Sequence, residues 1–150
     1  MYRFQILRGI KTFLIILKDQ LNLKTMKQKI FNAVSILFGL WMLNAGLNKF
    51  FNYMPMPEDM PESMLQLMEH LMAFGWMMPL VGAVEAIAGL LIVVPRTRTL
   101  GALAMFPVMV GILLINIVNV PSGLPVAAPL MVINVWMLWE GGDKLKALWS

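Results

Sequence analysis

The chain has no cysteine and a single histidine, and only 13% of its 150 residues are charged. Without cysteine there is no disulfide, thiol relay, thiolate metal site or iron–sulfur cluster. His70 alone cannot build a zinc centre or a bis-histidine haem site. The 15 methionines offer thioether sulfur, but methionine serves mainly as a flexible core filler, so no metal centre is expected. Charge is scarcest from Thr99 to Trp139, where no Asp, Glu, Lys or Arg occurs.

What fills the space is apolar. Hydrophobic residues make up 59% of the chain and mean hydropathy is +0.75, against about 45–50% apolar and about 25% charged in an ordinary soluble domain. A soluble chain this short could not hide that surface, because a small domain leaves about 30% of its unfolded surface exposed when it folds. Lipid resolves the mismatch. The expected class is all-α: an integral membrane four-helix bundle with an amphipathic N-terminal extension.

Residues 1–25 form that extension. Ile6, Ile10, Phe13, Leu14, Leu17 and Leu21 share one helical face while Arg8, Lys11 and Lys18 lie elsewhere on the wheel, a pattern that suits the headgroup layer. Its apolar run is too short for a signal peptide, and no small-residue cleavage site follows. Met26 opens a second candidate start, so the extension is also readable as an over-long beginning.

The membrane domain is expected over 26–146, with spans near 30–51, 73–94, 99–119 and 122–139 and a tail at 147–150. Each span approaches the roughly 20 residues that a bilayer core requires. The loop after the first span holds Pro55, Pro57 and Pro61 with Glu58, Asp59 and Glu62. Met64, Leu65, Leu67, Met68, Leu71 and Met72 then recur at helical spacing, predicting a short interfacial helix. Pro95-Arg96-Thr97-Arg98 ends the second span, and Pro121-Ser122-Gly123 turns the third into the fourth. Pro79, Pro107, Pro125 and Pro129 fall in or near spans, where kinks are tolerated.

Seven basic residues precede the first span, Arg96 and Arg98 lie in the second loop, and Lys144 and Lys146 lie in the tail. The first loop has only Lys49, at the end of its span, and the third has none. By the positive-inside rule both termini are cytoplasmic. The formal charge of +4 is thus a topology signal, and no basic-aromatic pattern points to nucleic acid. The implied home is a bacterial cytoplasmic (inner) membrane, with the lipid bilayer as first partner.

Glu85 is the candidate intramembrane acid. It stands near the middle of the second span, where insertion of an acid costs about 2.5–3.5 kcal/mol, so it is expected to face the bundle interior with a partner or a function. Gly82, Ala86 and Gly89 share its side, and small residues mark close helix approach. A purely structural carboxyl is the competing reading. Ser35, Gly39, Met42, Gly46 and Lys49 form a matching face on the first span. Lys49 and Glu85 differ in depth by up to about 16 Å at the helical rise. A direct pair therefore requires the second span to start late, near Trp76; otherwise Lys49 snorkels to the outer interface.

Asn44 and Asn48 stack at i, i+4 and Asn116 and Asn119 at i, i+3, all in the outer half, while Asn134 sits deeper. Such asparagines are commonly interhelical glue worth about 0.6 kcal/mol each. With Lys49 and Glu85 they would alternatively line an outward polar pocket. Trp41 lies nearer the bilayer centre than an aromatic belt requires, so it either packs in the core or stacks on a flat ligand.

Three segments carry a family resemblance: Gly46-Leu47-Asn48-Lys49-Phe50-Phe51, Glu85-Ala86-Ile87-Ala88-Gly89-Leu90-Leu91, and Arg96-Thr97-Arg98-Thr99-Leu100-Gly101-Ala102. In this order and spacing the chain resembles the DoxX family of small four-helix bacterial membrane proteins, from about Met26 to Lys146. The resemblance implies a four-helix bundle with both termini inside. The family is named for a subunit of a thiosulfate:quinone oxidoreductase, and some members are linked with sulfur or oxidative-stress pathways. Carried onto this chain, the family pattern falls on Gly46, Lys49, Glu85, Gly89 and Arg98, the glycines and Arg98 as structural positions. Many relatives have a histidine near the outer end of the third span, where Ile115-Asn116-Ile117 stands here. Two functions follow as expectations: a quinone-linked redox subunit, or a non-enzymatic scaffold or assembly factor for a complex or homo-oligomer. A solute carrier is a weaker third, since no inverted repeat is visible.

Overall fold

The computed structural model describes the backbone of residues 2–55 and 60–146, and the side chains of 18–55, 60–143, 145 and 146. Pro57, Glu58, Asp59 and the 147–150 tail lie outside the described residues, as do the side chains of the first 17. Among the described residues every regular element is helical. The chain divides into two compact units, Met1–Ala33 and Val34–Ser150.

Helix α1 (Tyr2–Phe51) has no proline to interrupt it. In the first unit its side chains from Lys18 to Ile30 are exposed. Thr25 Oγ1 donates to the Leu21 carbonyl at 2.9 Å and Gln28 Nε2 to Asn32 Oδ1 at 3.3 Å. These are contacts within the helix itself.

The second unit holds the rest of α1, then α2 (Glu62–Ala73), α3 (Met77–Val93), α4 (Arg98–Val118), a 3-10 turn (Pro121–Gly123), α5 (Leu124–Glu140) and α6 (Gly142–Lys146). Stretches Lys18–Phe51, Arg98–Val118 and Pro121–Glu140 are long and apolar enough to cross a membrane. Helices α2 and α3 form a pair bent by 96°, which would be a fourth crossing if read as one span. The 17 residues of α3 rise about 26 Å at 1.5 Å each, just short of a hydrocarbon core of about 30 Å.

The second span was expected from residue 73, but helix α3 begins at Met77. The reason is local. Gly75 takes φ +60°, a left-handed conformation that glycine adopts without a Cβ clash, and the chain turns there before Trp76 caps α3. Pro79 follows in the first turn of α3, where a missing N–H costs no intrahelical bond.

The core is built from helix faces with matched periodicity. Phe38 and Met42 of α1, Ala88 and Ile92 of α3, Ala102, Met105 and Met109 of α4, and Ala127 and Met137 of α5 are all buried. Met42, Met105, Met109 and Met137 are filler, as the sequence suggests, packing irregular gaps with flexible side chains. The opposite faces present Leu37, Leu40, Leu80, Ile87, Leu90, Leu103, Leu114 and Val132, each 40% exposed or more. A bilayer is the solvent that suits such a surface. Pro107 and Pro129 sit inside α4 and α5 on exposed faces.

The join between α3 and α4 is a small capping device. Leu91 lies four residues before Pro95, which has no N–H to give its carbonyl. Thr97 Oγ1 donates to that carbonyl instead, at 2.9 Å. Arg98 Nε donates to the Ile92 carbonyl at 3.2 Å, with Arg98 itself buried. A cation over the last carbonyls of α3 also suits the negative end of the helix dipole.

Candidate functional site

The site grows from glycine contacts between α1 and α3. A Cβ at Gly46 would lie 2.5 Å from the Ala86 amide nitrogen and the Gly82 carbonyl oxygen. One at Gly89 would lie 2.6 Å from the Gly39 carbonyl oxygen and the Leu43 amide nitrogen. No real Cβ fits at such distances, so the two backbones touch along this seam, as small residues permit in membrane helices. Both glycine faces expected from the sequence are used, each against the other.

That contact sets the register of the antiparallel pair. A Cβ at Gly82 would lie 3.0 Å from the Lys49 Cβ, so Lys49 is level with Gly82. Glu85 is three residues further along α3, about 4.5 Å deeper, within reach of a lysine stem. Lys49 Nζ donates to Glu85 Oε2 at 2.5 Å. The late start of α3 thus removes the depth mismatch, and Lys49 reaches inward rather than outward.

The two partners are unequally sheltered. The Glu85 side chain is 3% exposed and that of Lys49 is 25% exposed. A charge-assisted hydrogen bond of this kind is about twice as strong as a neutral one, and the seam excludes water from its acidic end. The arrangement places one ammonium and one carboxylate where little else is polar. Chemically it offers a fixed donor beside a group able to hold a proton.

The other candidates are placed differently. Asn44 and Asn48 hold the chain just beyond α1: Tyr53 Oη donates to Asn44 Oδ1 at 2.6 Å, and the Met54 amide donates to Asn48 Oδ1 at 2.8 Å. Asn116 Nδ2 donates to the Ile112 carbonyl of its own helix at 2.7 Å, and Asn119 is the exposed C-cap of α4. Asn48 and Asn116 thus bond to backbone groups and Asn44 to the side chains of Tyr53 and Met54, while Lys49 and Glu85 bond to each other. Trp41 is 62% exposed and packs in no core.

Asn134 is fully buried and its Nδ2 donates to the Ala102 carbonyl at 3.1 Å, tying α5 to α4. Its Oδ1 has no hydrogen-bond partner. Sequence reasoning passed over Tyr53 and Thr97. Thr97 had a signal in the proline four residues after Leu91, whereas nothing local distinguishes Tyr53. Among the described residues no cluster of three or more His, Cys, Asp or Glu side chains is placed to hold a metal.

The chain matches no curated protein and no solved structure at a significant level. The DoxX family model matches residues 34–117. That match covers more than half of the chain and contains Gly46, Lys49, Glu85, Gly89 and Arg98 together. The chain belongs to the DoxX family.

Proposed function

We propose that the protein is a subunit of the bacterial cytoplasmic membrane that crosses four times with both termini inside and serves a quinone-linked redox complex. The observation that carries this reading is the Lys49–Glu85 pair. A quinone, when bound, takes up two electrons and two protons to become the quinol. Lys49, with a quarter of its side chain exposed, is the donor for a quinone carbonyl. Glu85 is the carboxyl that holds a proton beside it. Electrons come from a bound cofactor or a partner subunit, since a chain without cysteine brings no thiolate-bound carrier. In this reading Trp41 and the four outer asparagines are given no part.

The test is bound quinone per protein, by solvent extraction after gentle detergent purification. Near-stoichiometric quinone in wild type that falls in Glu85→Gln and Lys49→Ala supports the reading. Unchanged quinone in both variants removes these residues from the role. No quinone in any of them removes the role itself.

The self-neutralised pair and the locally satisfied asparagines favour a second reading, a non-enzymatic membrane scaffold that assembles a partner complex or a homo-oligomer. Co-purification in mild detergent decides it: a defined partner supports it, and recovery as a lone monomer refutes it.

A further inference from the structure

Methionine is spread unevenly along this chain. Eight of the 15 fall between Met54 and Met78, and Met56, Met60, Met64, Met68 and Met72 follow one another at intervals of four. Four-residue spacing stacks side chains on one helix face with Cβ atoms about 5–6 Å apart, and α2 carries Met64, Met68 and Met72 in that arrangement. Core methionines such as Met42, Met105, Met109 and Met137 are at most 3% exposed. Helix α2, by contrast, has no buried residue at all. Met60, Met64 and Met68 are half-buried and Met72 is 49% exposed. Core packing does not account for this stripe.

The charge around it is of one sign. No Lys or Arg occurs between Phe50 and Pro95, and four of the chain's eight acids, Glu58, Asp59, Glu62 and Glu69, fall between Phe50 and His70. Glu62 and Glu69 are exposed on α2. A one-signed field of this kind raises the local concentration of cations. His70 stands about 120° or more around the helix from the stripe, by the 3.6-residue period. Its Nδ1 faces the Gln66 carbonyl oxygen at 2.5 Å, which makes that nitrogen the donor.

Thioether sulfur is neutral and soft, so it selects Cu(I)-like ions over zinc, magnesium or calcium. Methionine's three rotatable side-chain bonds let sulfurs four residues apart close on a shared ion. We infer that the α2 stripe is a binding site for a soft monovalent cation, Cu(I) or Ag(I), held by the sulfurs of Met64 and Met68 with Met60 or Met72 as a further ligand. Thioethers need no deprotonation before they bind, unlike cysteine, histidine or carboxylate ligands. Affinity at this site is therefore the same on either side of the histidine range.

The experiment titrates Ag(I), a redox-inert probe, into the full chain in nanodiscs with methyl-labelled methionine, followed by NMR. Retained silver is counted after dialysis. We expect about one Ag(I) per chain, equal affinity at about pH 5.5 and pH 7.5, and the Met64 and Met68 methyl signals moving first. Met64→Leu with Met68→Leu keeps size and apolarity and should weaken binding by at least about tenfold, a difference of 1.4 kcal/mol. Either single change should weaken it less, and His70→Gln should leave it unchanged. Wild-type affinity in the double leucine variant would overturn the assignment. So would loss of binding in His70→Gln, or equal shifts at the exposed Met26 and Met54.

Discussion

Removing Lys49 should destabilise the bundle far more than removing both members of its pair. Glu85 is 2% exposed, and its partner sits 2.5 Å away. Lys49→Met leaves the carboxylate in place with no cation and no water to replace it. Breaking a buried pair from one side costs about 3–5 kcal/mol. We expect about 3, the low end, because a quarter of the Lys49 side chain already meets its surroundings. Glu85→Met strands the lysine instead, whose long stem can swing its head group out to the interface, at a cost of about 1–2 kcal/mol. The double variant, with two apolar side chains of suitable volume, should return to within about 1 kcal/mol of wild type, since replacing a whole buried pair is often neutral. The coupling is then about 3–6 kcal/mol, at or above the top of the usual range for a contact pair. The assay is unfolding in mixed micelles by added SDS, followed by tryptophan fluorescence and far-UV circular dichroism for all four proteins. Additive single effects would show that the two charges do not act as a pair and would refute the reasoning.

Other expectations follow from the same geometry. Gly46→Val and Gly89→Val should each cost at least about 1–3 kcal/mol by overpacking the α1–α3 seam, measured in the same unfolding assay. Gly111→Ala, where an added Cβ meets nothing within 4 Å, should instead stabilise α4 by about 0.5–1 kcal/mol. Thr97→Val should lose about 1 kcal/mol through the unsatisfied Leu91 carbonyl, while Thr97→Ser should keep most of it. Because the chain has no native cysteine, single cysteines report topology directly. Ser63→Cys should react with an impermeant maleimide on intact cells and Arg96→Cys only after permeabilisation, and the reverse pattern would invert the proposed orientation.

The helical class and the faces that meet were legible in the sequence because both depend on short-range period. Ser35, Gly39, Met42, Gly46 and Lys49 fall on one stripe of α1 at any helix length. Gly82, Glu85, Ala86 and Gly89 do the same on α3. Small residues at those positions announce close approach before any partner is known. Asparagine was harder to read. Asn44, Asn48 and Asn116 stand at spacings that suit either a shared pocket or a local bond. The choice was made by what lay just beyond each helix: Tyr53 and Met54 in one case, and the helix's own Ile112 carbonyl in the other. Composition carries no trace of that competition. Core packing of Trp41 was illegible for a similar reason, since an apolar residue in a span is satisfied by lipid and by core alike.

The depth of Glu85 shows how one backbone angle decides a site. Counted along an unbroken second span that begins near residue 73, the acid lies too deep for Lys49 by more than a lysine stem recovers. The break at Gly75 lets α2 leave at 96° and α3 begin at Met77, which raises Glu85 toward the end of α1 that carries Lys49. Glycine contact at Gly46 and Gly82 then fixes how far α3 slides, because any Cβ there would push the helices apart before the charges met. The charge pair is thus a consequence of two steric facts, a residue that accepts a positive φ and a seam without side chains. A lysine and a glutamate separated by 36 positions identify each other only once both are known. Inserting a single residue between Gly82 and Glu85 would move the acid by about 1.5 Å and 100° around its helix relative to the Gly82 contact, away from Lys49 altogether. The pair is for that reason the most sensitive reporter of the α1–α3 register in the molecule.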